Sequence, residues 1–305
     1  MIKEIIVNPI MDDNKAESYL GELLKDTDYN ILINYDADVY CKESGILLAK
    51  FRKKIIPKEM ILDSFDSFNE AASPTQNRGI SSGKKKDGTA GRYREKKNGS
   101  LSKTRISDPV LSGIIGYYDR TMRSPYCRMT AYTSNKFSKF KKCYPIIEFV
   151  SEKYRELVPE KWAIQMSCIE KTNKDFKIGN TVFTTVTVNK NWQTACHTDK
   201  GDLKDAFGNL SVMRKGKYLG GYFVLVKWGV AFDMTNMDLL FTDVHQIHGN
   251  TPIKKLTEDA TRISLVMYYR ENMLECGSSE EEILIAKNRT SLKGLNKKKD
   301  SKDGL

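Results

Sequence analysis

The chain has 305 residues, a formal net charge of +11 and a hydrophobic content of 40%. This composition is typical of a folded globular protein with one large core, or with one core and a smaller lobe. No apolar run is long enough to cross a bilayer, which excludes a membrane-spanning protein, and Lys3, Glu4 and Pro9 break the apolar stretch at the N-terminus. We therefore expect a cytoplasmic protein.

The two ends of the chain and one internal segment differ from the rest in composition. Residues 1–76 mix short apolar runs with a helical periodicity and predict a small N-terminal α/β lobe. Residues 77–106 are rich in Gly, Ser and Lys and predict a long mobile loop. Residues 276–305 predict a C-terminal helix followed by a lysine-rich tail.

Residues 107–275 carry the strongest secondary-structure signals. An apolar stripe predicts a helix over residues 143–158, and a series of short strands with glycine-containing turns follows it. The predicted strands span residues 181–189, 210–214, 222–232, 239–244 and 262–269. Short strands separated by turns favour a sandwich or jelly roll over an alternating α/β sheet, so the sequence predicts an α+β protein with a β-rich core.

Two segments hold the excess of positive charge. Residues 78–105 contain ten basic residues against Asp87 and Glu95, and residues 287–305 contain seven against two acidic residues, so the rest of the chain has a net charge of −2. Such segments suit a polyanion, because each Lys or Arg beside a phosphate releases counterions. A solubilising loop and tail would have the same composition, and both interpretations stay open.

The cysteines are scattered and form no C-x-x-C pair. They are Cys41, Cys127, Cys143, Cys168, Cys196 and Cys276. This pattern favours buried or free thiols in a reducing compartment over disulfides or a zinc site.

All three histidines of the chain, His197, His245 and His248, lie in two short motifs, which read ACHTDKGD and HQIHGNTP. On a strand, an H-x-D step places His197 and Asp199 on the same side. With one distant histidine they form a two-histidine, one-carboxylate set with open positions, which suits Fe(II). An H-x-D step alone also occurs without any metal, so the pattern needs further support.

A third motif, TRISLVMYYR, predicts a strand that carries a buried arginine. Alternation puts five of its residues on one face: Arg262, Ser264, Val266, Tyr268 and Arg270. An arginine on a mostly apolar strand is costly unless it has an anionic partner. A carboxylate of 2-oxoglutarate would satisfy Arg262, with Ser264 as a second donor, whereas a salt bridge to a core aspartate is the structural alternative.

These three motifs, in this order, resemble the TET/JBP branch of the Fe(II)/2-oxoglutarate dioxygenases, over roughly residues 112–273. That branch oxidises the methyl group of 5-methylpyrimidines in DNA. The resemblance implies a double-stranded β-helix (jelly-roll) dioxygenase core with flanking helices, which uses O2. It assigns His197, Asp199 and His248 to Fe(II).

The resemblance also assigns the co-substrate contacts and the remaining histidine. Arg262 and Ser264 would bind 2-oxoglutarate, and Arg128 would be a further contact, with DNA as its alternative partner. His248 is chosen over His245 as the distal ligand because His248 directly precedes GNTP. The cysteine-rich zinc-binding region of animal TET enzymes is missing, so we expect no structural zinc. A minimal microbial or viral enzyme would be cytoplasmic in its host cell, and a eukaryotic one nuclear.

The residues expected to read the substrate base are Asp202, Tyr268 and Arg270. Tyr268 would stack on a flipped base. TET enzymes carry Asn at the position of Asp202 and His at that of Arg270, and the YYRE segment is more similar to the JBP-type thymine hydroxylases. We therefore favour thymine, converted to 5-hydroxymethyluracil. The alternative is 5-methylcytosine, converted to 5-hydroxymethylcytosine, because Asp202 could also accept a hydrogen bond from its exocyclic amine.

The resemblance gives the internal basic segment a role in holding the DNA backbone. The predicted contacts are Arg78, Lys84, Lys85, Lys86, Arg92, Arg94, Lys96 and Lys97. Two other functions stay open. One is a dioxygenase of the same chemistry that acts on a protein side chain or a small molecule, and the other is a non-enzymatic DNA-binding β-sandwich protein.

Overall fold

The computed structural model of the chain describes residues 2–84, 92–95, 99–121 and 124–288, and for 92–95 and 101–106 it describes the backbone alone. The strands are β1 (Lys3–Val7), β2 (Ile31–Ile33), β3 (Ala37–Cys41), β4 (Leu47–Arg52), β5 (Pro74–Thr75), β6 (Arg92–Glu95), β7 (Leu101–Ile106), β8 (Val110–Tyr118), β9 (Arg128–Met129), β10 (Thr185–Lys190), β11 (Gly208–Lys215), β12 (Tyr218–Gly220), β13 (Phe223–Leu225), β14 (Val230–Phe232), β15 (Leu239–Thr242), β16 (His248–Asn250), β17 (Ile253–Lys255) and β18 (Thr261–Tyr268). The helices are α1 (Asp13–Ser18), α2 (Lys58–Ala71), α3 (Ala131–Asn135), α4 (Phe137–Lys141), α5 (Tyr144–Leu157) and α6 (Pro159–Lys171), and residues 279–288 are also helical. Within these residues, no helix combines the length and the apolar character that a membrane span requires.

Two sheets form the β-rich part of the molecule. The larger sheet has the order β1-β3-β4-β15-β11-β18-β10-β8-β5, with β9 paired to β8. The smaller sheet has the order β16-β13-β14-β2. The predicted strand over residues 222–232 is divided in the structure, because Gly229 adopts a left-handed conformation between β13 and β14, which pair antiparallel. The chain therefore turns back where the sequence predicted one continuous strand.

The larger sheet lies between the smaller sheet and the helices. In β15, Leu239 and Phe241 belong to the hydrophobic cluster on the helix side, whereas Leu240 belongs to the cluster between the two sheets. Phe241 stacks on Tyr154 of α5 with ring centroids 5.6 Å apart, and Phe51 of β4 meets Phe232 of β14 across the sheets at 5.7 Å. Because successive side chains on a strand point to opposite faces, one strand contributes residues to both hydrophobic cores.

The N-terminal segment, predicted as a small α/β lobe, pairs with both sheets. Strands β1, β3 and β4 extend the larger sheet through the pairing of β4 with β15, and β2 pairs in parallel with β14 of the smaller sheet. Backbone hydrogen bonds also join Gly21 and Glu22 to Cys196, next to the H-x-D motif. Residues 1–76 are therefore joined to both sheets, a long-range pairing that local sequence patterns do not reveal.

The cysteine prediction is wrong for one pair. Cys127 and Cys276 form a disulfide with their Cα atoms 5.7 Å apart, although 149 residues separate them in sequence. The other four, Cys41, Cys143, Cys168 and Cys196, are free. Cysteine spacing predicts short-range pairs and zinc motifs, whereas this pair comes together only because β9 and the end of the core are neighbours in the fold.

Candidate active site

The structure brings His197, Asp199 and His248 together at one end of the space between the sheets. His197 Nε2 lies 3.5 Å from Asp199 Oδ1, and His248 Nε2 lies 3.8 Å from Asp199 Oδ2. One donor atom from each residue falls within 4.8 Å of the other two. Among the described residues this is the group of histidine, cysteine and acidic side chains whose geometry could hold a metal ion.

Backbone hydrogen bonds fix the relative position of these three residues. The His197 N–H donates to the His248 carbonyl at 2.8 Å, and the His248 N–H donates back at 3.0 Å. The Asp199 N–H donates to the Val244 carbonyl at 3.1 Å. The H-x-D step is therefore an irregular segment held to β16 by a single antiparallel bridge, and not the regular strand edge that the sequence predicts.

The orientation of both imidazole rings is set by backbone carbonyls. Nδ1 of His197 lies 2.7 Å from the Ala195 carbonyl, and Nδ1 of His248 lies 2.9 Å from the Gln246 carbonyl. Because a carbonyl only accepts, each Nδ1 carries a proton, and Nε2 is the atom that can bind a metal when the ring is neutral. Phe223 stacks on the His248 ring at 5.1 Å and restricts its rotation further.

The charges in this group favour the metal-ligating forms of Asp199 and His248, whereas burial of His197 is outweighed by the hydrogen bond and charge of Asp199, which raise the pKa of His197. Burial opposes ionisation of Asp199, but the hydrogen bond and charge of His197 outweigh it and lower the pKa of Asp199 to about 2. Burial, helped by the charge of His197, lowers the pKa of His248 to about 4. At neutral pH the chain thus offers a carboxylate and a neutral distal imidazole, the forms in which these groups bind metals.

His245 lies outside the candidate metal group. Its Nδ1 is 3.2 Å from Asp243 Oδ1, and its Nε2 is 3.3 Å from the Asp202 carbonyl. Both ring nitrogens are therefore engaged by other groups. This placement agrees with the choice of His248 as the distal residue.

The face of β18 predicted to point inwards lines the same cavity, which has a volume of about 200 Å³. All five of its predicted residues contribute to the wall: Arg262, Ser264, Val266, Tyr268 and Arg270. The intervening residues Ile263, Leu265 and Met267 belong to the core on the helix side. Strand alternation therefore holds from Arg262 to Tyr268, and Arg270 lines the cavity from two residues beyond the end of β18.

Arg262 is buried without an acidic partner among the described residues. Its side chain is 3% exposed, and its Nε has no hydrogen-bond partner there. Burial lowers the pKa of its guanidinium, which the neighbouring Tyr218 partly offsets. The predicted structural alternative, a salt bridge to a core aspartate, is therefore not found in the described part of the chain. A Cβ at Gly221 would approach Arg262 Nε to 3.1 Å, so glycine leaves room beside this group.

The guanidinium of Arg262, unpaired among the described residues, shows whether the cavity fits 2-oxoglutarate. A buried cation is stable only with a compensating anion, and a carboxylate can bind a guanidinium through two parallel hydrogen bonds. The buried Tyr218 hydroxyl next to it also has no hydrogen-bond partner in the described residues. The cavity thus presents unmet donors at one end and a metal-binding group at the other, as a chelating dicarboxylate requires.

The opposite wall of the cavity holds a charge pair that the sequence did not indicate. Arg270 Nε donates to Asp119 Oδ1 at 2.7 Å, and the Asp119 side chain is 2% exposed. The Arg270 guanidinium also lies 4.2 Å from the centre of the Tyr118 ring. Tyr268, which is buried, contacts Thr187 through its hydroxyl at 3.2 Å.

Asp202 lies in this wall beside Arg270. The two residues form an antiparallel backbone bridge, and Asp202 Oδ2 is buried without a hydrogen-bond partner in the described residues. Burial raises the pKa of Asp202 well above its usual value, the Asp199 carboxylate raises it further, and Arg270 opposes both. The Asp202 carboxyl therefore stays protonated to a higher pH than an ordinary aspartate, and its protonated form can donate as well as accept.

Two arginines do not lie where the sequence places them. Arg78, expected on an exposed loop, is half-buried at the cavity wall, where its Nη2 donates to the Gly113 carbonyl at 3.1 Å. Arg128, expected at the co-substrate or at DNA, lies on β9 and lines a neighbouring groove, but not the cavity of Arg262. Both differences arise from sheet pairings at β8, which the sequence does not encode locally.

The remaining predicted DNA contacts are only partly described. The Lys84 ammonium lies 3.7 Å from a Glu22 carboxylate oxygen. The other predicted contacts lie outside the described residues, or have side chains outside them: Lys85, Lys86, Arg92, Arg94, Lys96 and Lys97. Their role stays a prediction.

Three residues at the site were missed from sequence: Tyr118, Asp119 and Tyr218. Tyr118 and Asp119 end the apolar run of β8, and a charged residue directly after a buried strand is a usable signal for a buried partner. Tyr218 gave no signal, because its position beside Arg262 depends on how the chain returns after β11.

Comparisons with known proteins agree with this arrangement. A family model described as Tet_JBP, the oxygenase domain of the 2OGFeDO superfamily, matches residues 113–271. Thymine dioxygenase JBP1 of Trypanosoma brucei brucei is 35% identical over 174 residues, which are 56% of this chain and 20% of that protein. The bifunctional helicase and thymine dioxygenase JBP2 of Trypanosoma brucei brucei is 34% identical over 182 residues, which are 58% of this chain and 16% of that protein. The match thus spans a fifth or less of these relatives.

A solved structure shares the fold. NgTET1 in complex with 5mC DNA superposes with a TM-score of 0.58 at 15% identity, covering 91% of this chain and 100% of that chain. Together with the family match, this likeness confirms the predicted α+β class and the double-stranded β-helix core.

Proposed function

This chain belongs to the Tet_JBP family of 2OGFeDO oxygenase domains, and from that membership we propose that it hydroxylates the C5 methyl group of thymine in DNA. Membership of this superfamily implies Fe(II) as the metal and 2-oxoglutarate and O2 as the co-substrates. The product would be 5-hydroxymethyluracil. The observation that carries the proposal is the division of one cavity into a metal-binding group, an unpaired buried arginine and a polar wall.

Each part of the cavity has a distinct task in this proposal. His197, Asp199 and His248 would hold Fe(II), and Arg262 would bind the distal carboxylate of 2-oxoglutarate. When bound, the iron and co-substrate supply the oxidising power that converts a methyl C–H bond to C–OH with O2. The chain's own contribution is to fix these groups, exclude water and orient the methyl group, which is where protein positioning accelerates such reactions.

The polar wall would hold the target base after it leaves the helix stack. A methyl group inside a duplex cannot reach a buried metal, so the nucleotide must be flipped or single-stranded. A protonated Asp202 presents a carbonyl acceptor and a hydroxyl donor side by side, which match the N3–H and O4 of thymine. Arg270, held by Asp119, adds a donor for a second carbonyl of the base.

A second substrate fits the same wall. A protonated carboxyl can also accept from the exocyclic amine of 5-methylcytosine and donate to its N3, so Asp202 does not exclude this base. The similar solved structure is described as a complex with 5mC DNA, whereas the curated relatives are named thymine dioxygenases. The 35% identity to JBP1 favours thymine, and 5-methylcytosine stays the second candidate.

Mass spectrometry of nucleosides tests the proposal directly. The protein, with Fe(II) and 2-oxoglutarate, is incubated with matched oligonucleotides that contain either thymine or 5-methylcytosine at one position. We expect 5-hydroxymethyluracil from the first, and none in reactions with His248→Ala. Product from 5-methylcytosine alone would replace thymine by the second candidate. Production of succinate without any modified nucleoside would exclude both bases.

A further inference from the structure

A second groove opens beside the iron cavity and shares part of its wall. Arg78, Ile114 and Tyr118 line both spaces, so the two adjoin at these three residues. The groove has a volume of about 510 Å³, compared with about 200 Å³ for the iron cavity. A volume in this range accommodates a ligand of the size of a nucleotide.

Two arginines without acidic partners in the described part of the chain face this groove. Arg128 Nη1 donates to the carbonyls of Asp119 at 3.4 Å and Tyr126 at 3.2 Å. Arg78 donates to the Gly113 carbonyl. A guanidinium has five N–H donors, so these contacts orient both groups and leave donors for a ligand. Neither arginine has its charge neutralised by a described carboxylate.

The rest of the described lining carries no charge and mixes polar side chains with apolar residues such as Ile114 and Met129. It includes no Asp or Glu, and its polar side chains are Ser73, Thr75, Asn77, Ser112, Thr130 and Tyr132. The groove therefore carries two positive charges among hydroxyl and amide groups. This combination favours an anion with several oxygen acceptors, and arginine forks match phosphate particularly well.

One ring connects the groove to the wall that would hold the base. The Tyr118 ring centre lies 4.2 Å from the Arg270 guanidinium and 5.0 Å from the Arg128 guanidinium. The centre of the Tyr126 ring lies 5.6 Å from the same Arg128 guanidinium, so two aromatic rings pack against this group. A ligand that spans both spaces would therefore place a base beside Arg270 and an anionic group beside Arg128.

We propose that this groove binds the phosphodiester and sugar that adjoin the target nucleotide, with Arg128 and Arg78 paired to the phosphate. The inference rests on the proposed function, because it takes DNA as the substrate. It assigns Arg128 to the strand and not to 2-oxoglutarate. It also explains how a flipped nucleotide is held on both sides, by its base in the iron cavity and by its backbone in the groove.

Salt-dependent binding of a fluorescein-labelled oligonucleotide tests this assignment. Each phosphate contact contributes about one to the slope of log K against log salt, so Arg128→Gln should lower the slope by about 1 and weaken binding to every sequence alike. Arg155→Gln is the matched control, because Arg155 lies exposed on α5 in an ion pair with Glu152 and should leave the slope unchanged. An unchanged slope in the Arg128→Gln protein would overturn the proposal.

Uncharged methylphosphonate linkages then identify which phosphate Arg128 contacts. Methylphosphonate is substituted at one position at a time around a single target base, and binding is measured for the wild type and for Arg128→Gln. At one flanking phosphate we expect the two changes together to weaken binding by less than the sum of their separate losses, since both remove the contact with Arg128. Additive losses at every position would contradict the groove assignment.

The remaining outcomes separate this inference from the proposed function. Arg128→Lys keeps the charge and should retain the slope while weakening binding, which guards against a glutamine variant that folds poorly. Coupling at one phosphate without any hydroxymethylated base would support the groove and defeat the proposed reaction. Product formation without coupling would do the reverse. A weaker affinity of Arg128→Gln for 2-oxoglutarate, with unchanged oligonucleotide binding, would overturn the inference in favour of a co-substrate contact.

Discussion

Two arginines of one motif, Arg262 on β18 and the half-buried Arg270 just beyond the end of that strand, differ in the partners that the fold gives them. Arg262 has no acidic partner among the described residues and keeps an unmet Nε donor. Arg270 donates to the buried carboxylate of Asp119 at 2.7 Å and packs against Tyr118. One end of the cavity is thus left electrostatically incomplete, and the other is completed by the protein.

The difference indicates what each end binds. A buried charge without a partner destabilises the folded chain, so its presence points to an anion that supplies the partner on binding. A pre-paired arginine has its orientation fixed before any ligand arrives, which suits recognition of a neutral base by hydrogen-bond geometry. The incomplete end therefore suits the charged co-substrate, and the completed end suits the base.

The largest expected effect concerns the metal group that both ends share. His248→Ala removes one Nε2 donor, and we expect the protein to lose stoichiometric Fe(II) and all detectable hydroxylation, because two remaining ligands hold the ion poorly. Metal content after dialysis, measured by plasma emission, gives a readout independent of turnover. His245→Ala is the control, since its ring contacts Asp243 and the Asp202 carbonyl. Equal metal loss in both variants would contradict the assignment of the distal ligand.

The next effect is on the free energy of unfolding, which should respond differently when Arg270 and Arg262 are each replaced by glutamine. Arg270→Gln leaves Asp119 buried with no cation, which costs about 3–5 kcal/mol in the free energy of unfolding. Arg262→Gln removes a buried charge that has no ion-pair partner among the described residues, and it should be neutral or stabilising without co-substrate. Urea unfolding of the two variants beside wild type measures both. Equal destabilisation would mean that Arg262 has a stabilising partner of its own.

Added co-substrate should stabilise the wild type more than the Arg262→Gln protein. Saturating 2-oxoglutarate at about 100 times its Kd stabilises the wild type by about 2.7 kcal/mol, and Arg262→Gln should lose most of this gain. Arg270→Gln should keep it, because its partner lies at the other end of the cavity. The shift of the unfolding midpoint with added 2-oxoglutarate distinguishes the two. A full shift in Arg262→Gln would remove this residue from the co-substrate site.

The smallest effect is a change in pH dependence at the base wall. The pKa of Asp202 is raised, so its carboxyl is protonated below that pKa and ionises as the pH rises through it. The ionised form cannot donate to O4 of thymine, and kcat/KM should therefore fall on the alkaline side. Asp202→Asn keeps one donor and one acceptor at every pH and should flatten this limb. Profiles between about pH 6 and about pH 9 provide the measurement.

The raised pKa of Asp202 also predicts that the stability of the wild type falls as the pH rises. Because the folded-state pKa of Asp202 exceeds its unfolded value, the carboxyl contributes fully to stability at low pH and loses that contribution as the pH rises through the folded pKa. Wild type should lose stability relative to Asp202→Asn over that range. A constant difference between the two proteins at all pH values would show that Asp202 does not titrate there.

Local patterns in the sequence determined the parts of the site that depend on chain periodicity. Alternation along β18 identified the residues that line the cavity from Arg262 to Tyr268, because side chains on a strand change sides with every residue. The spacing of His197 and Asp199 and the GNTP that follows His248 indicated the metal group, although its first segment is not a regular strand. These features need only neighbours in sequence.

Tertiary structure alone decided the rest. The pairing of Asp119 with Arg270, the position of Arg78 at the cavity and the disulfide of Cys127 with Cys276 each join residues more than thirty positions apart in sequence or across different sheets. Such contacts arise from how sheets pair and stack, which depends on the free energy of the whole chain and leaves no local periodicity. The sequence therefore determined which residues could perform the chemistry, and the fold decided which of them have partners and which are left for a ligand.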